Sequence, residues 1–254
     1  AGKMGAVFTR EDTHRRQARV EARVGDYTFD SSEDEDGGWL SNSDYQVDSV
    51  LPVDDEPQAL RHALWLLTDQ AYKQALSSHL KVRGATVFRA QKRERPSFSK
   101  ASKVNRVEPR PRSTFDDLRW SEEVRSLGRL LSMEPRIEDH VVHIDASHLT
   151  RWYVNTEGSR LRTHSSLYSV SVTAWSRAPD GVLLSHSFEA YAPQETELPS
   201  STELLSATSG MMDHLLALAA APVLEPYTGP AIITSKASGV FFHEVLGHRL
   251  EGHR

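Results

Sequence analysis

Two turn sequences in the second half of the chain most strongly restrict its fold. Residues 155–158 and 179–181 combine the asparagine, proline, aspartate and glycine residues that favour tight turns. Around them lie segments with alternating apolar and polar residues, namely 137–144, 151–154, 168–175 and 182–191. A period of two predicts half-buried strands, and short turns between such strands favour antiparallel hairpins. We therefore expect an antiparallel sheet in this part of the chain.

Helical patterns lie on both sides of this block. Apolar residues recur at spacings of three and four in residues 60–76, and acidic residues precede them, as is favoured near the positive end of a helix dipole. Residues 116–133 and 202–221 show the same kind of spacing, and Pro222 would end the second of these segments. The spacing predicts three helices that each bury one face.

Two further strands complete the predicted order. Residues 17–29 alternate alanine and valine with polar neighbours, and residues 231–234 form a short apolar run before a helix that starts at Ser235. Strands and helices in separate runs predict the α+β class. We expect an N-terminal strand–helix lobe with a basic linker at residues 1–112. An antiparallel-sheet lobe at residues 113–254 would follow it and end in a helix with the motif His-Glu-x-x-x-His.

Composition excludes several kinds of site and of protein. The chain has 254 residues and no cysteine, which excludes disulfides, thiol nucleophiles and cysteine-ligated zinc within it. Its longest apolar stretch, residues 60–75, is interrupted by charged residues, so we expect no membrane span. We expect a cytoplasmic protein and leave periplasmic and secreted locations open, because missing cysteines fit all three.

The C-terminal segment carries the residues best suited to chemistry. His243 and His248 are candidate metal ligands, and Glu244 is a candidate base. Zinc peptidases commonly place two histidines four residues apart, which is about 40° around a helix. Here the spacing is five residues, or about 140° on a regular helix. Gly247 is a position where the helix can loosen or bulge and bring the two imidazoles together.

Such a constellation suits hydrolysis. A catalytic zinc usually has three protein ligands and a water molecule. Glu244, next to the first candidate ligand, is placed to take a proton from that water and pass it to a leaving amine. A solvated helix face without a metal is the alternative. The short strand before the helix, and Val240, Phe241 and Phe242, which we expect to bury its start, favour the metal site.

Two stretches of sequence resemble a known family. Residues 227–233 (Tyr-Thr-Gly-Pro-Ala-Ile-Ile) and 243–252 (His-Glu-Val-Leu-Gly-His-Arg-Leu-Glu-Gly) resemble the TldD/PmbA family, also called modulators of DNA gyrase. Residues 154–159 resemble the Asn-Ser-Glu-Gly turn of that family, and the resemblance extends from about Asp116 onward. It implies a zinc metallopeptidase that degrades unfolded or small peptides.

The resemblance also implies an assembly and a set of ligands. Members of the family work as dimers around an enclosed cavity, so we expect a homodimer or a heterodimer with a paralogue. The TldD-type subunit keeps the motif, and this chain is similar to that type. His243 and His248 would then be the Zn²⁺ ligands, and Glu244 the catalytic base.

One ligand of the family has no counterpart here. The resemblance implies a third zinc ligand that is a cysteine in a C-terminal domain, whereas this chain has no cysteine and no such domain. We therefore expect an N-terminal portion of a longer protein, with an incomplete site and no peptidase activity by itself. Glu251 or His253 is a less favoured substitute for the missing ligand. Chelator-sensitive hydrolysis by residues 1–254 would contradict this expectation.

Two other functions stay open. The first is a non-catalytic module that dimerises or binds peptides through exposed strand edges. The second is a nucleic-acid-associated regulator, suggested by residues 81–112, which hold eleven lysine or arginine residues against two acidic ones. No nucleic-acid-binding module is recognisable there, so we favour an exposed linker. Only the regulator predicts salt-sensitive DNA binding that depends on Lys92, Arg93 and Arg95.

The remaining polar groups have simpler interpretations. The acidic residues 33–36 lack the ligand spacing of a calcium loop and are expected to form a solvated loop. His140 and His148 share strand parity but His143 does not, so we expect structural histidines and not one cluster. A serine-hydrolase site lacks a nucleophile-elbow sequence around its candidate residues, which are His164, Ser165 and Ser166.

Overall fold

The computed structural model describes residues 1–32, 46–86, 96–109 and 115–250. The predicted α+β class is confirmed. The chain forms two compact units, one of Ala1–Asp12 with Ser102–Tyr227 and one of Thr13–Ala101 with Thr228–Arg254. The division into domains at residue 112 stays a prediction. Within the described ranges, no helix is long and apolar enough to cross a membrane.

The strands are β1 (Gly2–Lys3), β2 (Ala6–Val7), β3 (Gln17–Glu21), β4 (Gln46–Val50), β5 (Asn105–Val107), β6 (Ile137–Val154), β7 (Arg160–Arg177) and β8 (Leu183–Ala192). The helices are α1 (Pro57–Thr86), α2 (Asp117–Ser132), α3 (Ser201–Ala220), α4 (Ser235–Phe242) and α5 (His248–Leu250). A 3₁₀ turn (Glu195–Glu197) precedes α3, and a π-helical turn (His243–Gly247) joins α4 to α5.

The first unit contains a six-stranded sheet in the order β2-β1-β6-β7-β5, in which β8 also pairs with β7. All pairs are antiparallel except that of β5 with β7. Both predicted turns are present, and Gly158 and Gly181 adopt φ angles of 94° and 92° that glycine tolerates best. In the first turn, the Asn155 Oδ1 atom accepts a hydrogen bond from the Ser159 N–H at 2.8 Å.

Helices α2 and α3 pack on one face of this sheet and form the larger core with it. Alternate residues of β7, namely Val170, Val172 and Ala174, are fully buried. Leu127 and Leu131 of α2, one helical turn apart, are buried against the same core. The burial periods of two and of about four therefore match the sequence patterns that predicted a strand and a helix.

The β6–β7 ribbon continues beyond the part that the helices cover. Its seventeen paired positions run from Ile137 to Val154 on β6, whereas the buried residues of β7 end at Tyr168. Farther toward the turn, the side chains of Trp152 and Val154 are 69% and 75% exposed. Strand β5 adds only three pairs at this end. The ribbon therefore has a packed half and an exposed half.

The second unit has a smaller core. Strands β3 and β4 pair antiparallel, and α1 packs against them. Val47, Leu51, Leu67 and Ala71 are buried there.

Several predicted segments differ from the structure. The strand predicted at residues 17–29 ends at Glu21. Helix α1 continues to Thr86, into the segment that was expected to be a linker. Residues 137–154 form one strand, because β7 pairs with them from Ile137 to Val154, with one irregularity between Ile137 and Asp139. Residues 231–234 form no strand, and no described strand pairs with them.

Candidate metal centre

The motif residues lie on the helix that follows Thr234. Near its start, the Ser238 hydroxyl lies 2.9 Å from the carbonyl oxygens of Ile233 and Thr234 and can donate its proton to either of them. Eight residues of α-helix then lead to the π-helical turn His243–Gly247. The backbone N–H of His248 donates to the carbonyl of His243, five residues earlier. The bulge expected near Gly247 is therefore present.

This π-helical turn places the two histidines side by side. Residues five apart lie on the same face where the hydrogen bonds run from i to i+5, whereas on an α-helix they diverge. The ring centroids of His243 and His248 are 4.6 Å apart, with 68° between the ring planes. Ligand atoms of His243, Glu244 and His248 all lie within 4.8 Å of one another. These three residues can hold a metal ion.

Glu244 lies close to the second histidine. Its Oε2 atom is 3.7 Å from His248 Nε2. The Glu244 side chain is 63% exposed and that of His248 is 35% exposed, so water has access to both. A carboxylate in this position can serve as a ligand or as a proton acceptor beside the imidazoles.

Gly247 leaves space beside the first imidazole. A Cβ atom at this position would lie 3.7 Å from His243 Nδ1 and 3.8 Å from the Phe242 carbonyl oxygen, both ordinary van der Waals distances. Gly247 does not have a positive φ angle. Its contribution to the bulge is therefore the low helix propensity of glycine, and not a conformation that only glycine adopts.

The apolar residues before the motif are not buried. The expectation that Val240, Phe241 and Phe242 bury the start of the helix is wrong, since they are 63%, 47% and 60% exposed. Local sequence shows that a segment is apolar but not whether another element covers it. The two other candidate ligands, Glu251 and His253, lie outside the described residues.

The three histidines of β6 have separate environments, as expected. His140 is buried, and its Nε2 atom accepts a hydrogen bond from the Met4 N–H at 2.9 Å. His143 is exposed, and His148 Nδ1 lies 3.0 Å from the Ser166 hydroxyl. Ser166 is in the middle of β7 and not on a sharp strand-to-helix turn, so the elbow of a serine hydrolase is absent there.

Parts of the two charged segments lie outside the described residues. The acidic residues 33–36 and the basic residues Lys92, Arg93 and Arg95 lie outside the described residues. Of the basic segment that is described, Arg106 in β5 forms an ion pair with Glu108 at 2.7 Å.

A contact between two histidines was missed by the sequence analysis. His186 of β8 and His214 of α3 lie with their ring nitrogens 3.1 Å apart. They are 28 residues apart in the chain and belong to different elements. No local pattern could have paired them, because the contact depends on how α3 packs on the sheet.

His140 predicts a pH-dependent stability. Burial lowers the pKa of His140, the nearby Lys3 lowers it further, and Asp139 opposes both. The folded protein therefore resists protonation of His140 below about pH 6.5, where the unfolded chain accepts the proton. The contribution of His140 to the free energy of unfolding is therefore complete above that pH. As the pH decreases further, the free energy of unfolding decreases by up to about 1.4 kcal/mol per pH unit.

Urea unfolding between pH 7 and pH 5 measures this effect. The parent should lose more free energy of unfolding over this range than a His140→Gln variant, whose side chain does not titrate. His143→Gln, at an exposed position on the same strand, should behave like the parent. Equal losses in the parent and in His140→Gln would contradict the role of His140.

Comparison of the chain with protein-family models, with curated proteins and with solved structures finds no match. The resemblance to the TldD/PmbA family therefore depends on the motif residues alone.

Proposed function

We propose that this chain carries two zinc ligands and the general base of a peptidase of the TldD/PmbA type. The observation that supports this most is the convergence of His243, Glu244 and His248 at the π-helical turn. A five-residue spacing would separate the imidazoles on a regular α-helix, whereas the π-helical turn places them on the same face.

Zinc is the ion that we propose for this set of ligands. Imidazole nitrogens bind zinc, copper and nickel well, whereas magnesium and calcium prefer oxygen ligands. A catalytic zinc is commonly held by histidines together with a carboxylate or a cysteine. Zinc also has no redox chemistry of its own, which suits a hydrolase.

Glu244 would transfer the proton. When bound, zinc would polarise the peptide carbonyl and acidify a water molecule. The Glu244 carboxylate, exposed and beside His248, would accept the proton of that water on one of its oxygens. As the C–O bond forms and the C–N bond breaks, the same oxygen would return the proton to the leaving amine.

The third ligand is proposed to come from outside the described residues. With Glu244 used as the base, two imidazoles remain, and a catalytic zinc usually has three protein ligands. The cysteine implied by the resemblance is absent from this chain. A dimeric assembly, unfolded or small peptides as substrates and a cytoplasmic location belong to the same proposal.

Zinc content per chain is the first test. Elemental analysis after incubation with zinc and desalting should give one equivalent less in His243→Ala than in the parent. His143→Ala, which changes an exposed histidine on β6, should keep the content of the parent. Intact mass confirms each preparation. Equal zinc contents in the parent and His243→Ala, both in residues 1–254 and in a chain extended beyond Arg254, would contradict the proposal.

A non-catalytic binding module is the second candidate, and the exposed apolar residues of the terminal helix favour it. Phe242 and Leu246 are 60% and 51% exposed on either side of the motif. A binding module predicts that Glu244→Gln leaves function unchanged, whereas the peptidase predicts a large loss.

A further inference from the structure

The contact between His186 and His214 brings two potential metal ligands together in the first unit. The Nδ1 atom of His214 lies 3.1 Å from the Nε2 atom of His186. The ring centroids are 4.6 Å apart and the ring planes are nearly perpendicular, at 84°. His186 is half-buried and His214 is exposed.

The separation of these nitrogens fits binding to one ion. Two imidazole nitrogens at about 2.0–2.1 Å from a tetrahedral zinc are about 3.4 Å apart. The observed separation of 3.1 Å is close to that value, and a small rotation of either side chain would remove the difference. Without an ion, one of the facing nitrogens donates its proton to the other, and either ring can be the donor provided that the other presents a lone pair. An ion would accept both lone pairs.

Both histidines are held by well-packed elements. Strand β8 pairs with β7 along ten positions, and His186 lies opposite the buried Ala174. Met211 and Leu215, on either side of His214 in α3, are buried in the core. The backbones that present the two imidazoles are therefore fixed before any ligand binds, which lowers the entropic cost of binding.

We propose that His186 and His214 form a second metal site, for a borderline transition cation of the zinc, nickel and copper class. Two nitrogen ligands favour these ions over magnesium and calcium. Among the described residues, no third histidine or carboxylate converges with the pair, so water fills the other coordination positions. A bound ion would tie the edge strand β8 to α3. This site is independent of the proposed peptidase function and lies in the other compact unit.

The test uses the full chain with the substitutions His243→Ala and His248→Ala, which remove the other candidate site. Calorimetric titration with Ni²⁺ should give one equivalent bound. Adding His214→Gln or His186→Gln should weaken binding about tenfold or more, which is the least that loss of a ligand is expected to cost. Adding His143→Gln should leave it unchanged, and Mg²⁺ should not compete. Circular dichroism verifies that each variant is folded.

Hydrogen exchange supplies a second measurement. Ni²⁺ should slow amide exchange in both Leu183–Ala192 and Ser201–Ala220, because the ion bridges them. Binding that survives both histidine substitutions would overturn the proposal. Binding that depends on His214 alone, without added protection of β8, would overturn it too, since a single surface histidine would then explain the data.

Discussion

Replacing Glu244 with glutamine is expected to lower the rate of peptide hydrolysis about 100- to 10,000-fold, the usual contribution of a positioned acid–base group. Glutamine keeps the size of the side chain but cannot accept a proton at neutral pH. The position is exposed, so the substitution should leave folding intact. The two imidazoles remain, and the zinc content should therefore equal that of the parent. The measurement is kcat for a short peptide at saturating zinc, with elemental analysis of the same samples.

The control is Glu225→Gln, which removes the same charge from an exposed position outside any helix or strand. It should keep the activity of the parent. Loss of zinc together with activity in Glu244→Gln would show that Glu244 is a ligand and not the base. The assay is made on residues 1–254 and on a chain extended beyond Arg254. Absence of hydrolysis in both would contradict the peptidase proposal.

Inserting one alanine after Val245 should weaken zinc binding about 100-fold or more, beyond the usual cost of losing an outer hydrogen-bond partner. The insertion places the histidines six residues apart, and neither an α-helical nor a π-helical turn then aligns them. Deleting Gly247 should instead preserve the alignment of the two histidines. It places the histidines four apart, on one face of a regular α-helix, and should keep zinc affinity within about tenfold of the parent.

These two variants differ in histidine spacing and disturb little else. Val245, Leu246 and Leu250 are 47%, 51% and 75% exposed, so a shift along the helix does not disrupt a core. Competition of each variant with a chromophoric zinc chelator gives the affinities. Equal binding by the insertion variant and the parent would show that the two histidines do not share one ion. Loss of binding on deletion of Gly247 would show that the π-helical geometry itself is required.

The sequence predicted those elements whose buried faces are visible as a regular spacing of apolar residues. Helix α2 was expected at residues 116–133 and occupies Asp117–Ser132, with Asp116 as its N-cap. Its buried apolar residues, Trp120, Val124, Leu127 and Leu131, recur at spacings of three and four because they face one core, and the Asp116 carboxylate marks the start. Residues 231–234 had an equally apolar pattern, yet they form no strand. A strand depends on a neighbour elsewhere in the chain, and its own residues do not reveal that neighbour.

The convergence of His243, Glu244 and His248 was predictable because these residues are close together in the sequence. The spacing of His243 and His248 conflicts with an α-helix, and Gly247 within the motif indicated how the conflict is resolved. The pair of His186 and His214 was not predictable for the opposite reason. The exposure of Phe241 and Phe242 was also missed, since burial depends on the rest of the fold.

The two halves of the β6–β7 ribbon should differ in local stability, although they belong to the same pair of strands. Near Ile137, opening the ladder exposes the core that α2 and α3 cover, whereas near Val154 it exposes side chains that already face water. A hairpin without a packed face is marginally stable by itself. Fluctuations should therefore break the hydrogen bonds between the two strands near the turn first. The opening should end where α2 and α3 cover the sheet. Trp152, near that outer end, would be an intrinsic fluorophore for the opening, independent of global unfolding.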